Sequence, residues 1–129
     1  MFIPYIWHKG AEAWEGQPAP AGLTLHVGTA LVLTAGKLTK ATGTTKPEFI
    51  CMQEVASTVA DQLIHVERVR EETVYETELS VASSAIAVGG KYTIATDGEK
   101  ITSTTTDGVA EVVSFDGTAA GDKVRVRFR

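Results

Sequence analysis

Lys123-Val124-Arg125-Val126-Arg127-Phe128-Arg129 carries the plainest periodicity in the chain, with Val124, Val126 and Phe128 falling on one side and the four cations on the other. Successive side chains of a strand point to opposite faces, so this run predicts a strand with one dry and one wet face. Moving back along the chain, Asp97-Gly98, Asp107-Gly108 and Asp116-Gly117 each supply the residue types that accept the positive φ of a tight hairpin turn. They divide the C-terminal third into a meander of short strands over about 91–96, 99–105, 109–115 and 122–128. Gly36 and Gly43 bracket Lys37 to Ala41 in the same way, with Ala30 to Thr34 before it as a further strand.

The middle of the chain, from Pro47 to Gly89, is less decided. Met52, Val55, Val59, Leu63 and Val66 stand three or four apart, which suits a helix. The same stretch is rich in Val, Ile and Thr, whose branched side chains favour a pleated surface. Ile64 and Val66 alternate with His65 and Glu67, and Tyr75, Thr77 and Leu79 with Glu76 and Glu78. Strands are therefore expected near 48–55, 62–69 and 73–79, with room for a short helix at 56–61 and a long helix as the competing assignment.

The totals agree with one folded domain. The chain has 129 residues, 43% hydrophobic and 22% charged, well away from the polar, highly charged regime of disorder. No apolar run approaches the length needed to cross a bilayer, and the start lacks the basic and apolar regions of a signal peptide, so a soluble, initially cytosolic protein with no membrane partner is expected. A formal net charge of -4 disfavours nucleic acid as a partner, because sequence-independent binding draws on cationic neutralisation of phosphates. The single cysteine, Cys51, excludes an internal disulfide and a thiolate zinc cage.

Candidate chemistry is sparse. His8, His26 and His65 are not spaced to converge on a metal, and His65 beside Glu67 reads as a solvated strand face. No serine lies in a G-x-S-x-G elbow, and Cys51 within Phe49-Ile50-Cys51-Met52 reads as a small core hydrophobe. Gly89-Gly90-Lys91 and Gly117-Thr118-Ala119-Ala120-Gly121 lack the Gly-Lys-Ser/Thr ending of a phosphate loop and read as turns. The expectation is a chain without catalytic residues, cofactor or metal. The comb of Lys123, Arg125, Arg127 and Arg129 could grip phosphate or an acidic partner, but the favoured reading is a solvated face, paired across the sheet with acids such as Glu76 and Glu78, or protection of a sheet edge.

The first 22 residues differ from the rest, holding both tryptophans and three of the four prolines. Pro18 and Pro20 bias Gln17 to Gly22 towards an extended linker. Phe2, Ile3, Pro4, Tyr5, Ile6 and Trp7, joined by Trp14, form an apolar cluster that is costly to leave in water. It either folds back as an extra strand or docks on a neighbouring protein, and these seven residues are the candidate contact site. The organisation expected is an N-terminal arm and linker over 1–22 and one β domain over 23–129. The fold class expected is all-β: a small barrel or sandwich of short antiparallel strands with at most one short helix.

One family pattern emerges from Gly28-Thr-Ala-Leu-Val-Leu-Thr-Ala-Gly-Lys-Leu38, Gly43-Thr-Thr-Lys-Pro-Glu-Phe-Ile50, Val74-Tyr-Glu-Thr77, Asp107-Gly-Val-Ala-Glu-Val112 and Gly117-Thr-Ala-Ala-Gly-Asp-Lys-Val-Arg-Val-Arg-Phe128. Their order resembles the head decoration, or cement, proteins of tailed bacteriophages and prophages of Gram-positive bacteria, over most of the chain. The resemblance implies a compact β protein that forms a homotrimer on the capsid exterior at three-fold positions. It further implies an arm that reaches the major capsid protein lattice and a shell reinforced against the pressure of packaged DNA. It brings no catalytic residues, and Ala60-Asp61 stands where a glycine turn is expected. The alternative is a small β module that binds carbohydrate or peptide on a virion or cell surface through Trp7 or Trp14.

Overall fold

The computed structural model describes residues 1–6 and 15–129, with the backbone alone at Ile6. Its elements are strands: β1 Ile3–Ile6, β2 Glu15–Ala19, β3 Ala30–Thr34, β4 Lys37–Lys40, β5 Phe49–Cys51, β6 Gln62–Arg68, β7 Val74–Glu78, β8 Lys91–Tyr92, β9 Ala110–Phe115 and β10 Lys123–Phe128. They form two antiparallel five-stranded sheets, ordered β1-β7-β10-β9-β8 and β2-β6-β5-β3-β4. The fold is all-β, and no helix occurs among the described residues.

Alternation places the core. In β10, Val124, Val126 and Phe128 are buried while Lys123, Arg125 and Arg127 line the other face. With Tyr75, Leu79, Val112 and Ile101 they form the core of the first sheet, which also takes Ala30 and Ile50 from the second. Leu31, Phe49, Cys51, Ile64 and Val66 point the opposite way into a second core with Leu25 and Leu38. All three residues of β5 are therefore buried, Ile50 towards the first sheet and Phe49 and Cys51 away from it. The second sheet curls around its own core until its edges β2 and β4 approach, while its β3–β5 wall packs on the first sheet. An ion pair between Lys37 and Asp61 lies across that closure.

Local chemistry explains the turns. Thr34 pairs with Lys37, leaving the two-residue loop Ala35-Gly36 with φ of 51° and 78°, the doubly left-handed turn whose twist matches flanking strands. Asp61, at φ 62°, takes the left-handed position for which a glycine was expected. Aspartate tolerates this region better than most residues.

Several expectations require correction. The possible helix at 56–61 is a bend and turn, because Leu25 pairs with Val55 and Val59 and Gln62 close a tight turn. Val59 and Leu63, two members of the helix-like spacing, are 66% and 64% exposed. The strands expected at 91–96 and 99–105 shrink to Lys91–Tyr92 and an isolated bridge at Ile101, since Ile94 bridges both Gly43 and Ile101. Gln17 to Gly22 is extended but not a free linker: Glu15–Ala19 pairs with β6 from Glu15↔Val66 to Ala19↔Gln62. Pro18 fits there because β2 is an edge strand, where a missing N–H breaks no ladder. The described residues of the first 22 thus contribute Ile3–Ile6 to one sheet and Glu15–Ala19 to the other.

Candidate interaction surface

β1 forms one edge of the first sheet, pairing Ile3 with Glu76, Pro4 with Tyr75 and, after a register shift, Ile6 with Val74. Phe2 points into the protein. It is fully buried, meets the Phe128 ring edge-on at 5.0 Å, and donates its N–H to the Gly28 carbonyl at 2.7 Å. Ile3 and Tyr5 face out and are 41% and 55% exposed, and Pro4 between them is half-buried. The backbone of Ile6 completes β1, whereas Trp7 and Trp14 lie outside the described residues. Of the expected contact residues, the fold takes Phe2 into its own core and presents Ile3 and Tyr5 to solvent.

The edge of β1 turned away from β7 is poor in backbone donors. N–H groups two residues apart on a strand point the same way; that of Phe2 is taken by Gly28, and Pro4 has none. A partner here meets side chains more readily than it extends the sheet.

Beside this apolar edge runs a ladder of paired charges. Lys123 binds Glu78 at 2.8 Å, Arg125 binds Glu76 at 3.0 Å and Asp116 at 2.6 Å, and Arg127 binds Glu111 at 2.7 Å. The cross-strand neighbours Lys123↔Glu78, Arg125↔Glu76 and Arg127↔Glu111 dictate the pairs. The guanidinium of Arg125 also sits 5.4 Å from the centre of the Tyr5 ring, which ties the apolar edge to the ladder. Hydrogen bonds from Lys123, Arg127 and Arg125 hold the carboxyls of Glu78, Glu111 and Asp116, respectively, below the usual carboxylate range. The cationic comb is thereby matched by acids along its length.

A cleft of about 330 Å³ opens where β1 begins, between Met1 and Ile3 on one side and Glu76, Glu78, Glu99 and Lys100 on the other. The Met1 amine donates to the Glu99 carbonyl, and the Thr77 hydroxyl donates to the same carbonyl at 2.6 Å. Burial pushes the amine below its ordinary value against the pull of Glu99 and Asp97. The cleft mixes the apolar side chains of Met1 and Ile3 with charged groups, among them the Lys123–Glu78 pair.

Elsewhere, His26 Nδ1 lies 2.8 Å from Glu54 Oε2 on an exposed loop, and Glu54 also accepts from the Val27 N–H. Cys51 is buried, which raises its thiol pKa. His65 is exposed while Glu67 is 2% exposed, so the two do not share one solvated face. Among the described residues no group of three or more His, Cys, Asp or Glu is placed to hold a metal ion.

One surface escaped the sequence reading. The loop from Ser80 to Gly90 contains no charged residue and displays Val81 at 46% and Val88 at 66% exposure. Its signal was available as a gap in the charge pattern of a chain that is 22% charged. Comparison of the chain with protein-family models, curated proteins and solved structures returned no match.

Proposed function

We propose that this chain is a structural protein that decorates the exterior of a phage capsid, binding as a homotrimer at three-fold positions and stabilising the shell. The observation that carries this reading is the β1 edge: Ile3 and Tyr5 exposed on a paired strand beside a ladder of ion pairs. Exposed apolar side chains on a preorganised frame, rimmed by matched charges, suit protein-to-protein contact. The order of turn glycines and strand valines, which resembles the decoration proteins, supports it independently. Binding to the assembled shell and not to free subunits stabilises the shell by linkage, and rotational symmetry suits a lattice that already has local three-fold axes. The reading is of a non-enzymatic protein that acts on the virion after starting in the cytoplasm.

The test is sedimentation of the purified protein with empty shells of the phage that encodes it. Wild type should co-sediment, and the Ile3→Ser/Tyr5→Ser double variant should bind at least tenfold more weakly with its thermal midpoint little changed. Undiminished binding by the double variant removes this edge from the mechanism. Failure of wild type to bind, together with glycan-array binding by a monomer, would favour the carbohydrate-binding alternative.

A further inference from the structure

We infer that Asp107-Gly108 is the site at which this chain undergoes spontaneous aspartate isomerisation, and that the fold requires this labile pair while shielding its two counterparts. The chain has no asparagine and three Asp-Gly pairs, at 97–98, 107–108 and 116–117, so main-chain attack on a side-chain carbonyl is concentrated there. The reaction needs no reagent but water. The Gly108 nitrogen attacks Cγ of the protonated Asp107 carboxyl; a C–N bond forms, the nitrogen gives up its proton, and the carboxyl hydroxyl leaves as water, closing a succinimide. Water then adds back. At the main-chain carbonyl it breaks the old peptide bond and leaves isoaspartate, joined to Gly108 through its side chain; at Cγ it restores aspartate.

Two of the pairs are restrained. Asp97 Oδ1 accepts from the Glu99 N–H at 2.8 Å, and Gly98 is buried, with its N–H on the Ala95 carbonyl at 2.9 Å and its carbonyl taken by the Ala30 N–H at 2.8 Å. Both oxygens of Asp116 are held by Arg125, at 2.6 and 3.2 Å, and this hydrogen bonding keeps the carboxyl below its usual range, away from the acid form that can lose water. No backbone carbonyl accepts from the Gly117 N–H among the described residues, so that pair depends on the Arg125 clamp. Asp107 differs from both. Its side chain is exposed, and the described residues place neither a hydrogen bond nor an ion pair on it. The Gly108 N–H has only the Thr105 carbonyl, at 3.2 Å the long end of the usual range. The same geometry demands these two residue types. Asp107 is the third residue of the turn closed by that bond and has a φ of 53°, where glycine or asparagine is usual and aspartate is tolerated. A Cβ on Gly108 would stand 2.5 Å from the Lys91 carbonyl carbon, so only glycine fits. Isoaspartate adds one carbon to the main chain at this packed spot, beside the Val109 N–H to Tyr92 carbonyl bond that flanks the β8–β9 pairing.

The test is ageing of the purified chain at mildly acidic pH and a temperature below its thermal midpoint. Isoaspartate is counted with a carboxyl methyltransferase that transfers a labelled methyl group from S-adenosylmethionine, and is located by peptide mapping. It should gather at residue 107 several-fold faster than at 97 or 116, with a succinimide lighter by one water trapped at the same residue. In urea the three rates should converge, because the fold and not the dipeptide sets the difference. Arg125→Gln should bring residue 116 up towards the rate at 107 while 97 stays slow. Asp107→Asn, which suits the left-handed turn and loses ammonia more readily than the acid loses water, should form the succinimide faster than wild type. Equal rates at the three pairs in the folded protein, a higher rate at 97 or 116, or a ranking that persists unchanged in urea overturns the inference. So does an Arg125→Gln protein whose residue 116 ages no faster, since the clamp would then not be what singles out residue 107.

Discussion

Replacing Phe2 by alanine separates a core strand from a loose arm. Phe2 is fully buried and packs edge-on against Phe128, whose ring lies 5.4 Å from that of Tyr75. Removing a buried phenylalanine costs about 3–5 kcal/mol, and that figure includes the ~0.5–1.5 kcal/mol of an aromatic pair. Domains of this size have roughly 5–15 kcal/mol of stability, so the loss is a large share of the whole. For a 129-residue chain each kcal/mol moves the thermal midpoint by about 3–5 °C, intermediate between smaller and larger domains. Phe2→Ala should therefore melt roughly 10–20 °C lower. Tyr5→Ser, three residues on and 55% exposed, should cost only about 0.5–1 kcal/mol, the worth of its exposed contact with Arg125. Urea titration followed by circular dichroism gives both numbers, and Phe2→Leu, expected to cost under about 1.5 kcal/mol, serves if the alanine variant fails to fold. A Phe2→Ala cost below about 1 kcal/mol would refute the reasoning, because only a segment that frays without unfolding the sheet could lose this ring so cheaply.

Three other outcomes are expected. Ala35 holds a left-handed φ of 51° at the first loop position of the β3–β4 hairpin, where Asn-Gly is the favoured pair, so Ala35→Asn should stabilise by about 0.5–1 kcal/mol in the same urea assay. The Glu111 carboxyl lies below its ordinary value of 4.5, chiefly through the Arg127 hydrogen bond and with Arg129 assisting against desolvation. Its contribution is present above pH 4.5 and is lost as pH falls through the folded value, so the stability of Glu111→Gln should fall less steeply below pH 4.5 than that of wild type. Equal slopes would show that the pair does not couple to folding. Cys51 is buried with a raised thiol pKa, so a thiol-specific chromophoric reagent should label it at the rate of unfolding and far faster in urea, whereas immediate labelling in buffer would contradict its placement.

Local signals were legible where one segment carried both its period and its stop. Ala30–Thr34 and Lys37–Lys40 lie where the Ala35-Gly36 loop and the branched residues put them, and the Val124-Val126-Phe128 face is the buried face of β10. Pairing between distant segments has no such signal. Nothing near Ile3 announces Glu76 as its neighbour, and nothing near Pro18 announces Leu63. Pro18 and Pro20 marked Gln17 to Gly22 as an extended linker; that Glu15–Ala19 is an edge strand, where proline is tolerated, emerges only from the assembled sheet. The spacing of Val55, Val59 and Leu63 resembled a helical stripe, yet Ile64 and Val66 won because their period-two face closes the second core.

The placement of the candidate contact residues was half legible for a related reason. Phe2, Ile3, Pro4 and Tyr5 were read as a cluster that either folds back as an extra strand or docks on a neighbour, alternatives for the cluster as a whole, although a strand divides its residues between two faces. The fold makes that division, with Phe2 packed on Phe128 and with Ile3 and Tyr5 turned to the side that carries Glu76 and Arg125. Half of the cluster therefore stabilises the body that presents the other half. Under the proposed function, shell binding and folding share an element: substitutions on the inward side of β1 should weaken binding only through lost stability, and those on the outward side should weaken binding with little loss of stability. If binding and thermal midpoint fell in proportion for Ile3→Ser and Tyr5→Ser, as for Phe2→Leu, β1 would act as a brace for a contact made elsewhere, and the outward face would lose its claim to the capsid.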